Sequence, residues 1–259
     1  MNDNKELSIT LQTGGAFMQL VLLAAGKGSR LDLNVTNKCF AKVNNKCLLD
    51  YNLELFLDIN PSEIILVVGY NAEYIINYLG DNYHGIPVTY VKQEELLGIA
   101  HAIKIASPYI RDSFIMSLSD ELFINPDINS IYTYFSENYI DCLCGVVNDT
   151  EENIQKAYTM DITSDGSIIQ LVEKPISIFN TWKGTGCCFM KRSMLTILET
   201  LQPNSNRKEY EMGDWIQLGV DKGLSCKIYP IASANFNLNT HNDIVLAEEY
   251  IEKTKRSRI

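Results

Sequence analysis

The chain has 259 residues, 46% of them hydrophobic and 21% charged, the balance of a globular protein long enough to bury a core without disulfides or a structural metal. Lys and Arg number 22 against 32 Asp and Glu, a net charge of −10, which argues against a nucleic-acid partner but allows a locally positive site for a small phosphorylated ligand. No apolar run is long enough to span a membrane, and residues 1–17 lack the pattern of a signal peptide, so a cytoplasmic setting with reduced thiols and no membrane partner is expected.

Residues 1–17 are polar, contain Gly14-Gly15, and read as a flexible extension or a leader before Met18. The run 20–23 predicts a strand buried on both faces, followed by a loop to about residue 45 and a helix over 48–57. A strand at 64–68, a helix at 72–79 and a strand at 88–91 come next. A helix from 99 stops near Pro108, and a strand over 114–118 ends at Ser119-Asp120. A helix over 128–139 and a strand over 142–147 complete a β–α alternation that predicts a Rossmann-like α/β sheet, mixed but mostly parallel, with helices on both faces. Beyond residue 150, Ser164-Asp165-Gly166 reads as the turn of a hairpin joining strands 158–162 and 168–173. Strands over 185–190 and 225–230 and helices over 193–200, 211–222 and 243–253 finish the chain. Nothing marks a linker, so one domain over 18–259 is expected, its second half folded over the first. The seven Cys, including Cys142-x-Cys144 and Cys187-Cys188, lack zinc-knuckle spacing and read as buried strand thiols.

The chemistry concentrates at strand ends. Leu23-Ala24-Ala25-Gly26-Lys27-Gly28-Ser29-Arg30-Leu31 follows the first strand, where ligands of open α/β sheets bind. Two glycines let backbone N–H groups approach phosphate oxygens, and Lys27 and Arg30 bring positive charge. The dinucleotide fingerprint fails at Leu31 and the Walker pattern is absent. Asp120, at a strand's carboxyl end, is placed to hold Mg²⁺, a hard cation that favours oxygen. His84, His101 and His241 form no metal pair, and His101 reads as a packing or surface group.

LAAGKGSRL resembles the LAAGxGTRL signature of the sugar-1-phosphate nucleotidyltransferases, and further segments follow in that family's order. The stretch from Asn37-Lys38 to Leu48-Leu49-Asp50-Tyr51 is similar to the family's PK…GKPLLEY, with Asn37 and Cys47 in place of two prolines. Gln93…Gly98-Ile99-Ala100-His101-Ala102 resembles Qx4GxAxA, and Leu118-Ser119-Asp120 resembles LGD. Val172-Glu173-Lys174-Pro175 matches EKP, and Gly186 matches a glycine on the next strand. Glu209–Asp214 loosely resembles ExExTD, with Gly213 for Thr. Asn237 stands where WxDIGTPEDL has the Asp that is the second metal ligand.

The resemblance implies an enzyme that joins a nucleoside triphosphate, dTTP or UTP by preference, to a sugar 1-phosphate and releases pyrophosphate. It implies catalytic roles for Arg30, Lys38 and Asp120, and Mg²⁺ held by Asp120 and Asn237. Leu23, Ala24, Ala25, Gly26, Gly28, Ser29 and Arg30 would bind the nucleotide, with Gln93 and Gly98 selecting the base. A Gln amide both donates and accepts, which suits the O4 and N3–H edge of uracil or thymine. Glu173, Lys174 and Gly186 would bind the sugar phosphate, Gly186 by leaving room for the sugar ring. Residues 18–150 would form the nucleotide half and 151–259 the sugar-phosphate half, in a chain that forms homo-oligomers as the family often does. Two other readings stay open: a cytidylyltransferase acting on a non-sugar phosphate or phosphonate, and a catalytically silent regulatory homologue, which Asn37, Gly213 and Asn237 would suit.

Overall fold

The computed structural model describes residues 18–26, 37–205 and 207–256. β1 (Met18–Ala24) is buried along its whole length, as its unbroken apolar run requires. A 3₁₀ turn (Lys38–Phe40) and a small hairpin of β2 (Lys42–Val43) and β3 (Lys46–Cys47) lie where the sequence suggests only loop. α1 (Leu48–Glu54), β4 (Glu63–Val68), α2 (Ala72–Leu79), the short β5 (Asn82–Tyr83) and β6 (Ile86–Lys92) follow. α3 (Ile99–Ala106) gives way to a 3₁₀ turn at Ser107–Tyr109, because Pro108 cannot continue the helix ladder. β7 (Ser113–Leu118), β8 (Glu121–Ile124), α4 (Ile128–Glu137), β9 (Cys142–Asn148) and α5 (Glu151–Ile154) come next. The expected hairpin forms from β10 (Tyr158–Ile162) and β11 (Ile168–Glu173), with Gly166 at φ +79° in its turn. β12 (Trp182–Met190), α6 (Arg192–Leu198), α7 (Met212–Asp221), β13 (Cys226–Pro230), β14 (Ala234–Asn237) and α8 (His241–Arg256) complete the chain.

Eight strands form one sheet in the order β13-β9-β12-β7-β1-β4-β6-β5. β7, β1, β4 and β6 run parallel, and β13 is parallel to β9. β12 is antiparallel to both of its neighbours, β7 and β9, so the sheet is the mixed, mostly parallel one expected. Alternation along β1 sends Val21 and Leu23 to one face, with Ile103 of α3, Met194 of α6 and Trp215 of α7. Leu20 and Leu22 point to the other face, with Leu53 of α1, Ile75 of α2 and Phe135 of α4. β14 pairs antiparallel with β8, and α8 packs there through Ile244 and Ala247 onto Leu48, Leu122 and Leu238. All seven cysteines are buried and free.

The strand order creates the functional crevice. The chain winds from β1 outward to β4 and β6, then returns to place β7 on the opposite side of β1. Connections leave the carboxyl ends of β1 and β7 in opposite directions, and the gap that opens between them is where open α/β sheets take their ligands.

Candidate active site

A cleft of about 290 Å³ sits in that gap. Leu23, Ala24, Ala25 and Gly26 from the end of β1 form one wall, Leu118, Ser119 and Asp120 another, and Lys38, Gln93 and Gly98 also line it. Backbone contacts draw the walls together. Ser119 N–H donates to Leu23 O at 3.1 Å, and Tyr70 N–H to Ala25 O at 3.4 Å. Gly69 is required at the β4 end, since a Cβ there would come within 2.6 Å of Ala25 O. The Asn37 side chain ties down the turn that carries Lys38. Its Nδ2 donates to Tyr70 O at 2.9 Å, and its Oδ1 accepts from Cys39 N–H at 3.1 Å. The Asn that replaces the family's proline therefore fastens this turn by hydrogen bonds instead of by a ring.

Lys38 Nζ donates to Asp120 Oδ2 at 2.5 Å and to Asn239 Oδ1 at 2.7 Å. Asn239 Nδ2 in turn donates to Asn237 Oδ1 at 3.0 Å. Asn239 is positioned by the start of α8. Its N–H and that of Thr240 both donate to Asp243 Oδ2, at 2.9 and 2.7 Å, while Asp243 N–H returns to Thr240 Oγ1 at 3.3 Å. Asn237 is exposed, opposite Glu121 in the β8–β14 ladder, and its side chain is linked to the Lys38–Asp120 pair through Asn239. One carboxylate flanked by amide carbonyl oxygens is a donor set suited to a hard divalent cation such as Mg²⁺.

Gln93 is buried where β6 ends, with its N–H donating to Val68 O at 2.8 Å. Its Nε2 lies 3.4 Å from Gly98 O and 3.1 Å from His101 Nδ1. Gly98 has φ +101°, and a Cβ there would lie 2.5 Å from Tyr210 O. The glycine thus admits the backbone of Tyr210, whose N–H donates to Leu97 O at 2.7 Å and whose carbonyl accepts from Ala100 N–H at 3.0 Å. Gly98→Ala should lower the unfolding free energy by about 1–3 kcal/mol, the usual cost of a forced backbone conformation. Denaturant melts of the two proteins check this, and unchanged stability would mean that the segment holding Tyr210 moves away freely.

The expected sugar-phosphate residues lie off the cleft wall. Glu173 packs against the start of α7, where Gly213 N–H donates to its Oε1 at 3.3 Å. A Cβ at Gly213 would come within 2.6 Å of Glu173 Cγ, which explains Gly where the family has Thr. Lys174 is exposed with φ +46°. The space beside Gly186 is taken by the Leu118 side chain, 2.3 Å from where a Cβ would stand, so this glycine makes room for a cleft-lining leucine. Gly186 N–H donates to both carboxylate oxygens of Glu121, at 3.0 and 2.9 Å. Burial pushes Glu121 up to about 8, helped by the Asp120 charge and opposed by the Gly186 N–H and Lys183.

Burial, with the Glu211 charge beside it, pushes Glu173 up to about 7. The folded chain then keeps a proton on Glu173 that the unfolded chain has already released, so stability should fall as pH rises from the ordinary carboxylate range through about 7. Glu173→Gln keeps the acceptor for Gly213 and should flatten that part of the curve. Melting temperatures across this window check it, and an unchanged slope would reassign the dependence to another group.

Gly28, Ser29 and Arg30, with Lys27 and Leu31 and the extension 1–17, lie outside the described residues. Two residues at the site escape a reading of the sequence, Asn239 and Glu121: their positions beside Asn237 and Asp120 were the signal, since their partners Lys38 and Gly186 come from distant elements. His101, read from the sequence as a packing or surface group, meets Gln93 eight residues before it.

The family model described as nucleotidyl transferase matches residues 19–236. The chain is similar to UTP–glucose-1-phosphate uridylyltransferase AglF of Haloferax volcanii, 29% identical over 239 residues that cover 91% of this chain and 97% of that protein. It is also similar to the bifunctional protein GlmU of Methanococcus maripaludis, 31% identical over 209 residues, 80% of this chain but only 48% of GlmU. Among solved structures, UDP-glucose pyrophosphorylase complexed with UDP-glucose superposes with a TM-score of 0.79 at 19% identity, covering 92% of this chain and all of the other. The inositol-1-phosphate CTP transferase from T. maritima superposes with a TM-score of 0.73 at 21% identity, covering 88% of this chain and 92% of the other. At these identities the two structures share the fold.

Proposed function

The chain belongs to the nucleotidyl transferase family, and from that premise we propose that it joins UTP or dTTP to a sugar 1-phosphate, giving a nucleoside diphosphate sugar and pyrophosphate. The observation that carries this reading is the meeting, in one cleft, of the glycine-bearing end of β1, the Lys38–Asp120 pair and the Gln93 amide. Similarity to a uridylyltransferase along nearly its full length supports the substrate class.

In this reading an oxygen of the sugar phosphate attacks the α-phosphorus in line, and pyrophosphate leaves. The attacking phosphate is already anionic, so alignment and charge neutralisation carry the catalysis and no strong base is needed. Arg30 and the backbone N–H groups of the Leu23–Ser29 stretch hold the triphosphate. Lys38 turns its ammonium to the α-phosphate, and Gln93 and Gly98 select the base. Asp120, with Asn237 and Asn239 beside it, would hold Mg²⁺, which supplies charge neutralisation when bound. Glu173, Lys174 and Gly186, in the second half of the chain, serve the sugar phosphate, Gly186 by seating Leu118 on the cleft wall.

The test is to incubate the full chain and Mg²⁺ with UTP, dTTP or CTP and a panel of sugar 1-phosphates, reading pyrophosphate release and product mass. A nucleoside diphosphate sugar from UTP or dTTP is expected. Product formed only from CTP and a non-sugar phosphate would overturn the proposal.

A further inference from the structure

The terminal amide of Gln93 is oriented by its surroundings. A peptide carbonyl can only accept, so the end facing Gly98 O at 3.4 Å is the NH₂. That same NH₂ meets His101 Nδ1 at 3.1 Å. Nδ1 must then be the bare nitrogen, which makes the imidazole neutral with its proton on Nε2. The ring is itself held in place. It stacks on Tyr210 with centroids 6.0 Å apart and planes 28° apart, and Tyr210 is bonded to the backbone on both sides of Gly98. Both amide hydrogens are engaged, so Oε1, with no hydrogen-bond partner among the described residues, is the atom left for a ligand in the cleft.

We propose that His101 is a positioning residue: in its neutral form it locks the Gln93 amide so that the cleft offers a lone acceptor, which selects a pyrimidine with a ring N–H over one with a bare ring nitrogen. Uracil and thymine carry that N–H at N3, whereas cytosine in the same pose sets its N3 lone pair against Oε1. The proposal rests on the reading that Gln93 faces the base. It narrows the expectation from sequence, because the amide's donors are already used and only its acceptor remains.

Protonating His101 would put a second donor opposite the NH₂. The amide would have to turn over, pressing Oε1 against Gly98 O and showing the cleft a donor, the pattern that suits cytosine N3. Burial holds the imidazole below the usual histidine range; Glu95 opposes this and Lys104 adds to it. Tyr210 stacks on the ring, and Glu209 lines the cleft beside it. The neutral form therefore prevails at neutral pH, and selectivity should fade only below the pH at which an ordinary histidine protonates.

The experiment measures kcat/KM with UTP and with CTP from about pH 8 to about pH 5, at saturating sugar 1-phosphate. Ionisation of the triphosphate is common to both nucleotides and cancels in the ratio. Wild type should favour UTP at pH 8 and lose that preference as the pH falls. His101→Phe keeps a ring on Tyr210 but no acceptor, and should cut the ratio about tenfold at pH 8, through KM for UTP more than kcat. His101→Asn sets an amide oxygen where Nδ1 stood, and should keep the ratio while removing its pH dependence. Titration calorimetry with UTP and CTP alone reads the same contact without transfer. A wild-type ratio flat in pH, or a His101→Phe ratio equal to wild type, overturns the proposal. Equal use of UTP and CTP by wild type at pH 8, or no transfer with either, overturns the underlying reading and the proposal with it.

Discussion

Lys38→Ala should lower kcat about 10²–10³-fold with the triphosphate saturating, the typical cost of losing one group that meets charge developing in transfer. Its Nζ bridges Asp120 and Asn239, which come from strand ends far apart in the chain, and both partners line or adjoin the cleft. Removing the ammonium leaves two polar groups that water can reach, since Asp120 and Asn239 are only half-buried, so the melting temperature should change little. Arg30→Ala should act in the same direction if the phosphate-binding loop works as proposed. Near-normal turnover of Lys38→Ala would remove that lysine from the mechanism. A large fall in melting temperature would recast the Lys38–Asp120 pair as a structural clasp between the turn and β7.

Asp120→Asn should be as damaging, because it takes away the one carboxylate, among the described residues, of the oxygen donors that face Lys38. Activity should also vanish with chelator and return with Mg²⁺ or Mn²⁺. Asn237→Asp is the informative companion. Asn237 is exposed and accepts from Asn239 Nδ2, a contact that an Asp can keep, so the variant buries no charge and should fold normally. A second carboxylate should lower the Mg²⁺ concentration that gives half-maximal rate. Initial rates titrated with Mg²⁺, beside a melting curve of the same variant, decide the matter. An unchanged Mg²⁺ requirement in a well-folded Asn237→Asp protein would exclude residue 237 from the metal site.

The sequence alone carried the longer strands and helices, because strands buried on both faces read as unbroken apolar runs and surface helices repeat at 3.6 residues, but not the short β2, β3, β5, β8 and β14 or the one-turn α5, which are too brief to show a period. β1, β4, β7 and β9 lie where those runs stand, and the turn at Ser164-Asp165-Gly166 closes the hairpin it announces. The positions of Lys38, Gln93, Gly98 and Asp120 were also legible, since each sits at a strand end or in a motif of fixed spacing. Partnership was not legible. Asn239 meets Lys38 across 201 residues, and Glu121 meets Gly186 across 65. Such pairs depend on the antiparallel insertion of β12 beside β7 and on the packing of β14 and α8 against β8, which no local pattern encodes. The two glycines show the same division. Sequence marked Gly98 and Gly186 as places without side chains, but only tertiary packing decided what fills the space: the Tyr210 backbone beside one and the Leu118 side chain beside the other. Local propensity acts over a few residues, whereas excluded volume acts between whatever segments the fold brings into contact.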